Sequence, residues 1–138
     1  MKNYLTTLFE NQSYDKQSFF LIAGPCVVEN EKMVQDICSR VSAICSRLKI
    51  PYIFKASYRK ANRTSAGSFS GIGDHEALGF IKAAAKKNKV PCTTDIHSAN
   101  EAAMAAEYVD ILQIPAFLCR QTDLLLAAAA TGKIVNVK

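Results

Sequence analysis

Apolar residues along the chain gather into short runs, separated by longer stretches in which they recur every three or four positions. Five runs read as buried strands, at residues 19–24, 52–57, 91–96, 111–115 and 134–138, each short and bounded by polar or turn-forming residues. Four helical patterns lie between them. The first starts after Asn30 as N-cap and carries Val34, Ile37, Val41, Ile44 and Leu48 at three-four spacing, which predicts one buried face. The second opens at Asp74 behind Gly71-Ile72-Gly73, with Leu78, Ile81 and Ala85 on one side. The third begins with a capping box in Ser98-Ala99-Asn100-Glu101. The fourth runs from Asp123 through an alanine-rich stretch to Thr131, where Gly132 supplies the left-handed residue that ends it. Strands that alternate with helices form parallel sheets through helical crossovers.

Each strand is apolar until its C-terminal end, where a polar or reactive residue follows: Cys26, then Lys55 and Ser57, Asp95 and His97, Gln113, and Lys138. In parallel α/β architectures ligands bind at that end of the strands, so these placements predict one shared rim. A closed (β/α)8 TIM barrel fits the α/β pattern best, because nothing marks a reversal of strand order and no G-x-G-x-x-G turn follows the first strand. An open flavodoxin-like sheet is the alternative. Gly71-Ile72-Gly73 lacks the lysine and serine of a P-loop and reads as loop geometry. Residues 1–18 are polar and read as a loose lead-in, with residues 19–138 forming the barrel segment. A barrel of this kind needs about 250 residues. The chain has 138, so it is expected to hold the first half, truncated to five strands and four helices, with two unpaired strand edges. Such a fragment is expected to be inactive by itself.

Composition narrows the function classes. With 49% apolar residues, no run of membrane-spanning length and no apolar leader after Met1, the chain reads as a soluble cytoplasmic protein. Five cysteines without a C-x-x-C pair read as reduced thiols, Cys38 and Cys45 in a helix core. A net charge of +5 is mild and forms no basic tract, which argues against nucleic acid or membrane as partner. Lys86 and Lys87 suit a helix C-terminus. What remains is concentrated: Lys55, Arg59, Lys60 and Arg63 put four cations within nine positions, the first inside a strand-like run. Two readings stay open. The strand could end at Phe54 and leave a solvated basic loop. Alternatively Lys55 faces the sheet interior, where an ammonium requires a carboxylate or an anionic ligand. The shared rim favours the anion site.

Four segments also carry a family resemblance. Ile22-Ala23-Gly24-Pro25-Cys26, Phe54-Lys55-Ala56-Ser57 with Lys60-Ala61-Asn62-Arg63, Thr94-Asp95-Ile96-His97, and the run from Gln113 through Ile114-Pro115-Ala116-Phe117-Leu118-Cys119-Arg120-Gln121-Thr122 to Asp123 closely resemble the 3-deoxy-D-manno-octulosonate 8-phosphate synthases. The related 3-deoxy-D-arabino-heptulosonate 7-phosphate synthases typically carry Lys-Pro-Arg-Thr-Ser where this chain has Lys60-Ala61-Asn62-Arg63, which favours the octulosonate branch.

The resemblance implies a (β/α)8 barrel that condenses phosphoenolpyruvate with D-arabinose 5-phosphate and water, releasing phosphate, in lipopolysaccharide biosynthesis. By resemblance Lys55, Ser57 and Lys60 grip phosphoenolpyruvate, Lys138 and the Ala116 N–H hold its phosphate, and Gln113 positions it. Asn62 and Arg63 bind the pentose phosphate, Arg120 reaches its phosphate from a neighbouring subunit of a tetramer, and Thr64 and Phe117 are further substrate-binding candidates. Lys60, Asn62 and Asp95 are the catalytic candidates. Asp95 reads equally well as internal counter-ion of Lys55, and His97 as a rim hydrogen-bonder. Cys26 alone would read as buried packing, but the resemblance makes it a ligand of a divalent metal such as Mn, Zn or Fe, the other ligands lying beyond Lys138. No organic cofactor is expected. Arg59 stands where relatives are often acidic and reads as surface variation. Ala66, Gly67 and Ser70 depart from the family loop. A non-catalytic phosphosugar-binding module is the rival from another class.

Overall fold

In the computed structural model, which describes residues 4–60 and 70–138, every predicted apolar run contains a strand. The strands are β1 (Leu21–Ala23), β2 (Tyr52–Lys55), β3 (Cys92–Asp95), β4 (Ile111–Ile114) and β5 (Ile134–Val137). Each is slightly shorter than its run, because the chain begins to turn into the rim loops. Pairing nonetheless persists past β2 and β3, where the Ala56 N–H donates to Thr93 O at 3.2 Å and the Ile96 N–H to Gln113 O at 3.0 Å. All neighbours are parallel, in the order β1-β2-β3-β4-β5. A flavodoxin-like sheet reverses direction after its first strand; this sheet never does, so it is a stretch of (β/α) barrel wall.

Strand alternation divides the core. One face carries Tyr52, Phe54, Cys92, Leu112 and Ile114 against α2 (Glu31–Leu48), α3 (Asp74–Asn88), α4 (Ala99–Ala106) and α5 (Thr122–Ala130). Asn30 caps α2 as expected, accepting from the Met33 N–H at 2.9 Å, and Gly132 ends the turn after α5 with φ 72°. The two lysines Lys86 and Lys87 sit in the last turn of α3. Cys38 and Cys45 lie in the helix core as expected, while two expectations need correction. The buried stripe of α2 is Val34, Cys38 and Cys45, turned toward α3, where Cys38 Sγ lies 3.6 Å from Ala84 O; Ile44 and Leu48 are 47% and 57% exposed on the flank. Helix α3 opens at Asp74 as expected, behind Gly73. At α4 the capping box is broken, because Ser98 caps no backbone N–H and Glu101 is drawn elsewhere.

The lead-in is no loose segment. It forms α1 (Tyr4–Leu8) and delivers Phe9, 1% exposed, onto the other face of the sheet, against Ile53 and Ile111, with Ile22 and Ile134 beside them. The rings of Tyr14 and Phe20 lie 5.1 and 5.3 Å from that of Phe9. Gln12 fixes the arrangement: its amide accepts from the Tyr52 N–H at 2.7 Å and donates to Tyr52 O at 2.9 Å. The physical reason is area, since the N-terminal half of the inner face is mostly isoleucine and requires a lid. Among the described residues no helix is long and apolar enough to cross a membrane.

Gly24, just after β1, lies so close to β2 that a Cβ would stand 1.8 Å from Lys55 O. The end of β2 therefore tolerates only glycine beside it. Gly24→Ala is expected to lower stability by about 3 kcal/mol or more in a urea unfolding experiment; a loss within experimental error would contradict this packing.

Candidate active site

On the inner face, above the isoleucine layer and toward the C-terminal ends of the strands, the side chains turn polar. Lys55 of β2, Asp95 of β3, Gln113 of β4 and Asn136 of β5 follow one another across the sheet, with Asp95 paired to Gln113 and Gln113 to Asn136 in the strand register. Their side chains form a connected chain. Lys55 Nζ donates to Asp95 Oδ2 at 2.9 Å and to Ser57 Oγ at 2.9 Å, and the Ser57 hydroxyl donates to the same Asp95 oxygen at 2.5 Å. The other carboxylate oxygen accepts from Gln113 Nε2 at 2.5 Å. That contact fixes which way the Gln113 amide points, so its oxygen accepts from Asn136 Nδ2 at 2.9 Å.

Electrostatics follow from this wiring. Burial by itself raises the Asp95 pKa, but the Ser57 hydroxyl, the Lys55 ammonium and the Gln113 amide outweigh it and hold the carboxyl below its ordinary range. Asp95 is therefore an anion at neutral pH and neutralises Lys55. Among the described residues two of the three Lys55 N–H bonds are used, which leaves one donor for a ligand. The Lys55 side chain is only 21% exposed, so that donor acts where water competes weakly. The solvated-loop reading of Lys55 is thereby overturned.

The other predicted residues gather around this cluster unevenly. Lys60 is exposed in the following loop, its backbone N–H donating to Ser70 O at 2.9 Å. Lys138 is exposed at the end of β5, its N–H donating to Ile114 O at 3.1 Å, and by alternation it falls on the face of Asn136. Ala116 and Phe117 are exposed in a short 3-10 turn after β4, Ala116–Leu118. Arg120 is exposed beyond that turn, and no contact with the cluster is seen among the described residues. Asn62, Arg63 and Thr64 fall outside the described residues. Cys26 is exposed, which overturns its reading as buried packing. Among the described residues no group of three His, Cys, Asp or Glu side chains could hold a metal ion. Cys26 thus offers a single thiol donor and not a coordination sphere, and the described residues do not fit a metal by themselves.

Two features escaped the sequence reading. Asn136 was hidden by the more conspicuous Lys138, although its place two residues after Ile134 on the inner face signals the same layer. The second is Glu101, whose carboxylate accepts from the Tyr58 hydroxyl, from Arg59 Nη2 at 2.5 Å, from the His97 N–H at 2.9 Å and from Ser98 Oγ at 3.0 Å. His97 Nδ1 lies 3.2 Å from the same group, so His97 is a rim hydrogen-bonder here. Arg59 also stands 3.9 Å from Asp74 and over the Tyr58 ring at 5.7 Å, which is structure and not surface variation.

A cleft of about 1020 Å³ lies at the opposite end of the sheet, by α1, where Lys82, Lys86, Lys89 and Lys133 alternate with Glu10 and Asp110. It lacks the convergent, mutually bonded groups found at the rim.

With that geometry in place, comparison with known proteins is decisive. Residues 11–138 match the model of the DAHP synthetase I family. The chain belongs to that family. It is 58% identical over 119 residues to a 2-dehydro-3-deoxyphosphooctonate aldolase of Koribacter versatilis, covering 86% of this chain and 43% of the relative. A protein of the same name from Cyanothece sp. is 55% identical over 124 residues, covering 90% of this chain and 45% of the relative. Another from Granulibacter bethesdensis is 52% identical over 120 residues, with 87% and 43% covered. The chain thus spans less than half the length of these curated relatives. In this DAHP synthetase I family member the rim cluster stands where a (β/α) barrel builds its active site.

Acid should reach both carboxylates. Burial would raise the Glu101 pKa, but His97, Tyr58 and Ser98 together bring it down to about 2 from 4.5. The unfolded chain takes up this proton near 4.5 and the folded chain only near 2, so the stabilisation is complete above that window and is lost as pH falls through it. Asp95, also depressed, adds in the same direction. The urea midpoint is expected to fall steadily as pH is lowered from about 5 to 2, and less steeply in Glu101→Gln. A midpoint independent of pH over that range would contradict the assignment.

Proposed function

We propose that the chain is the phosphoenolpyruvate-binding part of a 3-deoxy-D-manno-octulosonate 8-phosphate synthase, a transferase that joins phosphoenolpyruvate to D-arabinose 5-phosphate. The single observation that carries this reading is the Lys55–Ser57–Asp95–Gln113 cluster at the rim of a barrel wall. The name of the relatives supports the choice of reaction. So does Ala61-Asn62 in place of the Pro-Arg expected of the heptulosonate branch.

In this reading C3 of phosphoenolpyruvate bonds to the aldehyde carbon of the pentose, whose oxygen takes up a proton. Water adds at C2, and phosphate leaves with cleavage of the C2–O bond. The chain's own residues bind and orient. Lys55 points its remaining N–H at the phosphoenolpyruvate carboxylate, with Ser57 and Lys60 beside it, while Gln113 sets its angle. Lys138 and the Ala116 N–H take its phosphate, and each charge-assisted bond is worth about 1.5–3 kcal/mol. Asn62, Arg63 and Thr64 hold the pentose phosphate, Phe117 lines the site, and Arg120 serves a neighbouring subunit of a tetramer. Lys60 and Asn62 steady the aldehyde oxygen as charge builds on it. Asp95 keeps Lys55 oriented. Cys26 is proposed as one ligand of a divalent ion whose other ligands come from outside this chain, and no step is derived through that ion. Cytoplasmic lipopolysaccharide synthesis is the proposed setting.

The test is phosphate release from phosphoenolpyruvate by the protein made from the complete reading frame that contains this chain. Release is expected to depend on arabinose 5-phosphate, to be far slower with erythrose 4-phosphate, to stop after chelation and to return with Mn²⁺ or Zn²⁺. The 138-residue stretch alone is expected to release none. Preference for erythrose 4-phosphate would assign the heptulosonate branch, no release with either sugar would leave a binding module, and full activity after chelation would remove Cys26 from a metal site.

A further inference from the structure

The Glu101 cluster joins two rim loops. Tyr58 and Arg59 lie immediately after Ser57 and immediately before Lys60, while Glu101 belongs to the first turn of α4, after β3. Four groups from two segments converge on its carboxylate: the Tyr58 hydroxyl and the Arg59 guanidinium from one side, the His97 N–H and the Ser98 hydroxyl from the other. Glu101 is 9% exposed and Tyr58 fully buried. Burial and the Glu101 anion both push the Tyr58 pKa up, so the phenol keeps its proton and serves as a donor.

A carboxylate in the first turn of α4 suits the helix dipole, and its usual partner there would be the Ser98 N–H. It abandons the capping box it could have made with Ser98 and leaves α4 without a side-chain cap. Two of its hydrogen bonds go instead to the strip from Tyr58 to Arg59. That strip is held from the far side too. The Lys60 N–H donates to Ser70 O at 2.9 Å, Arg59 approaches Asp74, and Gly71 packs so tightly that a Cβ there would come 2.9 Å from Tyr58 O. Ser57 and Lys60 therefore flank a three-point clamp whose one buried anion is Glu101. The same strip reaches the rim chemistry directly, because Ser57 Oγ donates to Asp95 while Ser57 O accepts from the Val28 N–H at 2.9 Å.

We propose that Glu101 is a positioning residue: through Tyr58 and Arg59 it fixes the backbone from Ser57 to Lys60, and so sets where the Ser57 hydroxyl and the Lys60 ammonium meet an anionic substrate. The role assigned to that substrate rests on the synthase reading above. Glu101 itself touches no reacting atom. Its effect is geometric, and a small misplacement of binding groups is enough to slow a reaction strongly.

Two readouts test it in the protein made from the complete reading frame. The first is exchange of the Lys60 amide hydrogen, which needs no turnover. In Glu101→Ala it is expected to run about ten-fold faster than in the wild type, and in Glu101→Gln, whose amide oxygen still accepts from Tyr58 and His97, to return toward the wild-type rate. The second is kcat/KM for phosphoenolpyruvate, expected to fall about ten-fold or more in Glu101→Ala and to stay within about three-fold in Glu101→Gln, with unfolding midpoints recorded for each. Because the cluster acts as a unit, adding Arg59→Ala to Glu101→Ala is expected to cost little further. Unchanged Lys60 exchange, or wild-type kcat/KM in Glu101→Ala, overturns the proposal. Altered exchange in a wild-type background that turns over no phosphoenolpyruvate supports the positioning role and overturns the synthase reading instead.

Discussion

The ion pair between Lys55 and Asp95 on the inner face of the sheet is the constraint from which the rest of the site is arranged. Withdrawing an ammonium and a carboxylate from water costs several kcal/mol per ion, and their attraction offsets this only when the remaining donors and acceptors are satisfied. The structure meets that condition but for one Lys55 N–H left for a ligand: Ser57 bridges the two charges, Gln113 takes the free carboxylate oxygen, and Asn136 takes the Gln113 oxygen. Apolar side chains of the same volume would hold the sheet together as well or better. The layer beneath carries no charge, with Ile53, Ile111 and Phe9 packed on the same face and Thr93 buried beside Ile111. Charge on this face is thus confined to the end of the strands where a ligand can reach it, which gives the ion pair a role in recognition more than in stability.

The surrounding structure serves the placement of that pair. Gly24 lets the chain leaving β1 lie against the Lys55 carbonyl. The Lys55 backbone is thereby held on the side opposite β3. Phe9 and Gln12 tie the lead-in to the start of β2, so the strand that carries Lys55 is anchored at both ends. Glu101 then binds the segment leaving β2 to the segment leaving β3. Two strands that each donate one partner of the ion pair are in this way also connected above it.

Much of this was legible in the sequence, for identifiable reasons. Strand order and the polar rim follow from period and position: an apolar run that ends in Lys55-Ala56-Ser57 or Thr94-Asp95 has few folds available to it. The Asn30 cap and the Gly132 terminator are local rules and were obeyed. Tertiary packing overrode local rules elsewhere. Glu101 satisfies the capping-box spacing, yet a buried tyrosine and an arginine from another loop compete for its oxygens and prevail. The face of α2 turned because two cysteines, small enough to approach α3, replaced larger residues as its centre. Residues 1–18 looked polar because the stretch is mostly polar, yet Leu5, Leu8 and Phe9 stand at the spacing of one helical turn and pack together under the sheet, a signal too short to stand out. Ligand roles at Asn62, Arg63 and Arg120 came from family resemblance alone, since no local pattern distinguishes a phosphate-binding arginine from a solvated one.

The most direct measurement is a calorimetric titration of phosphoenolpyruvate into the wild-type protein and into the double variant Lys55→Met/Asp95→Leu, which removes both charges and leaves neither orphaned. If the pair exists for recognition, the double variant stays folded and binds phosphoenolpyruvate at least about ten-fold more weakly than the wild type. Equal affinity in the two proteins would show that the anion is held elsewhere and that the Lys55–Asp95 pair is structural.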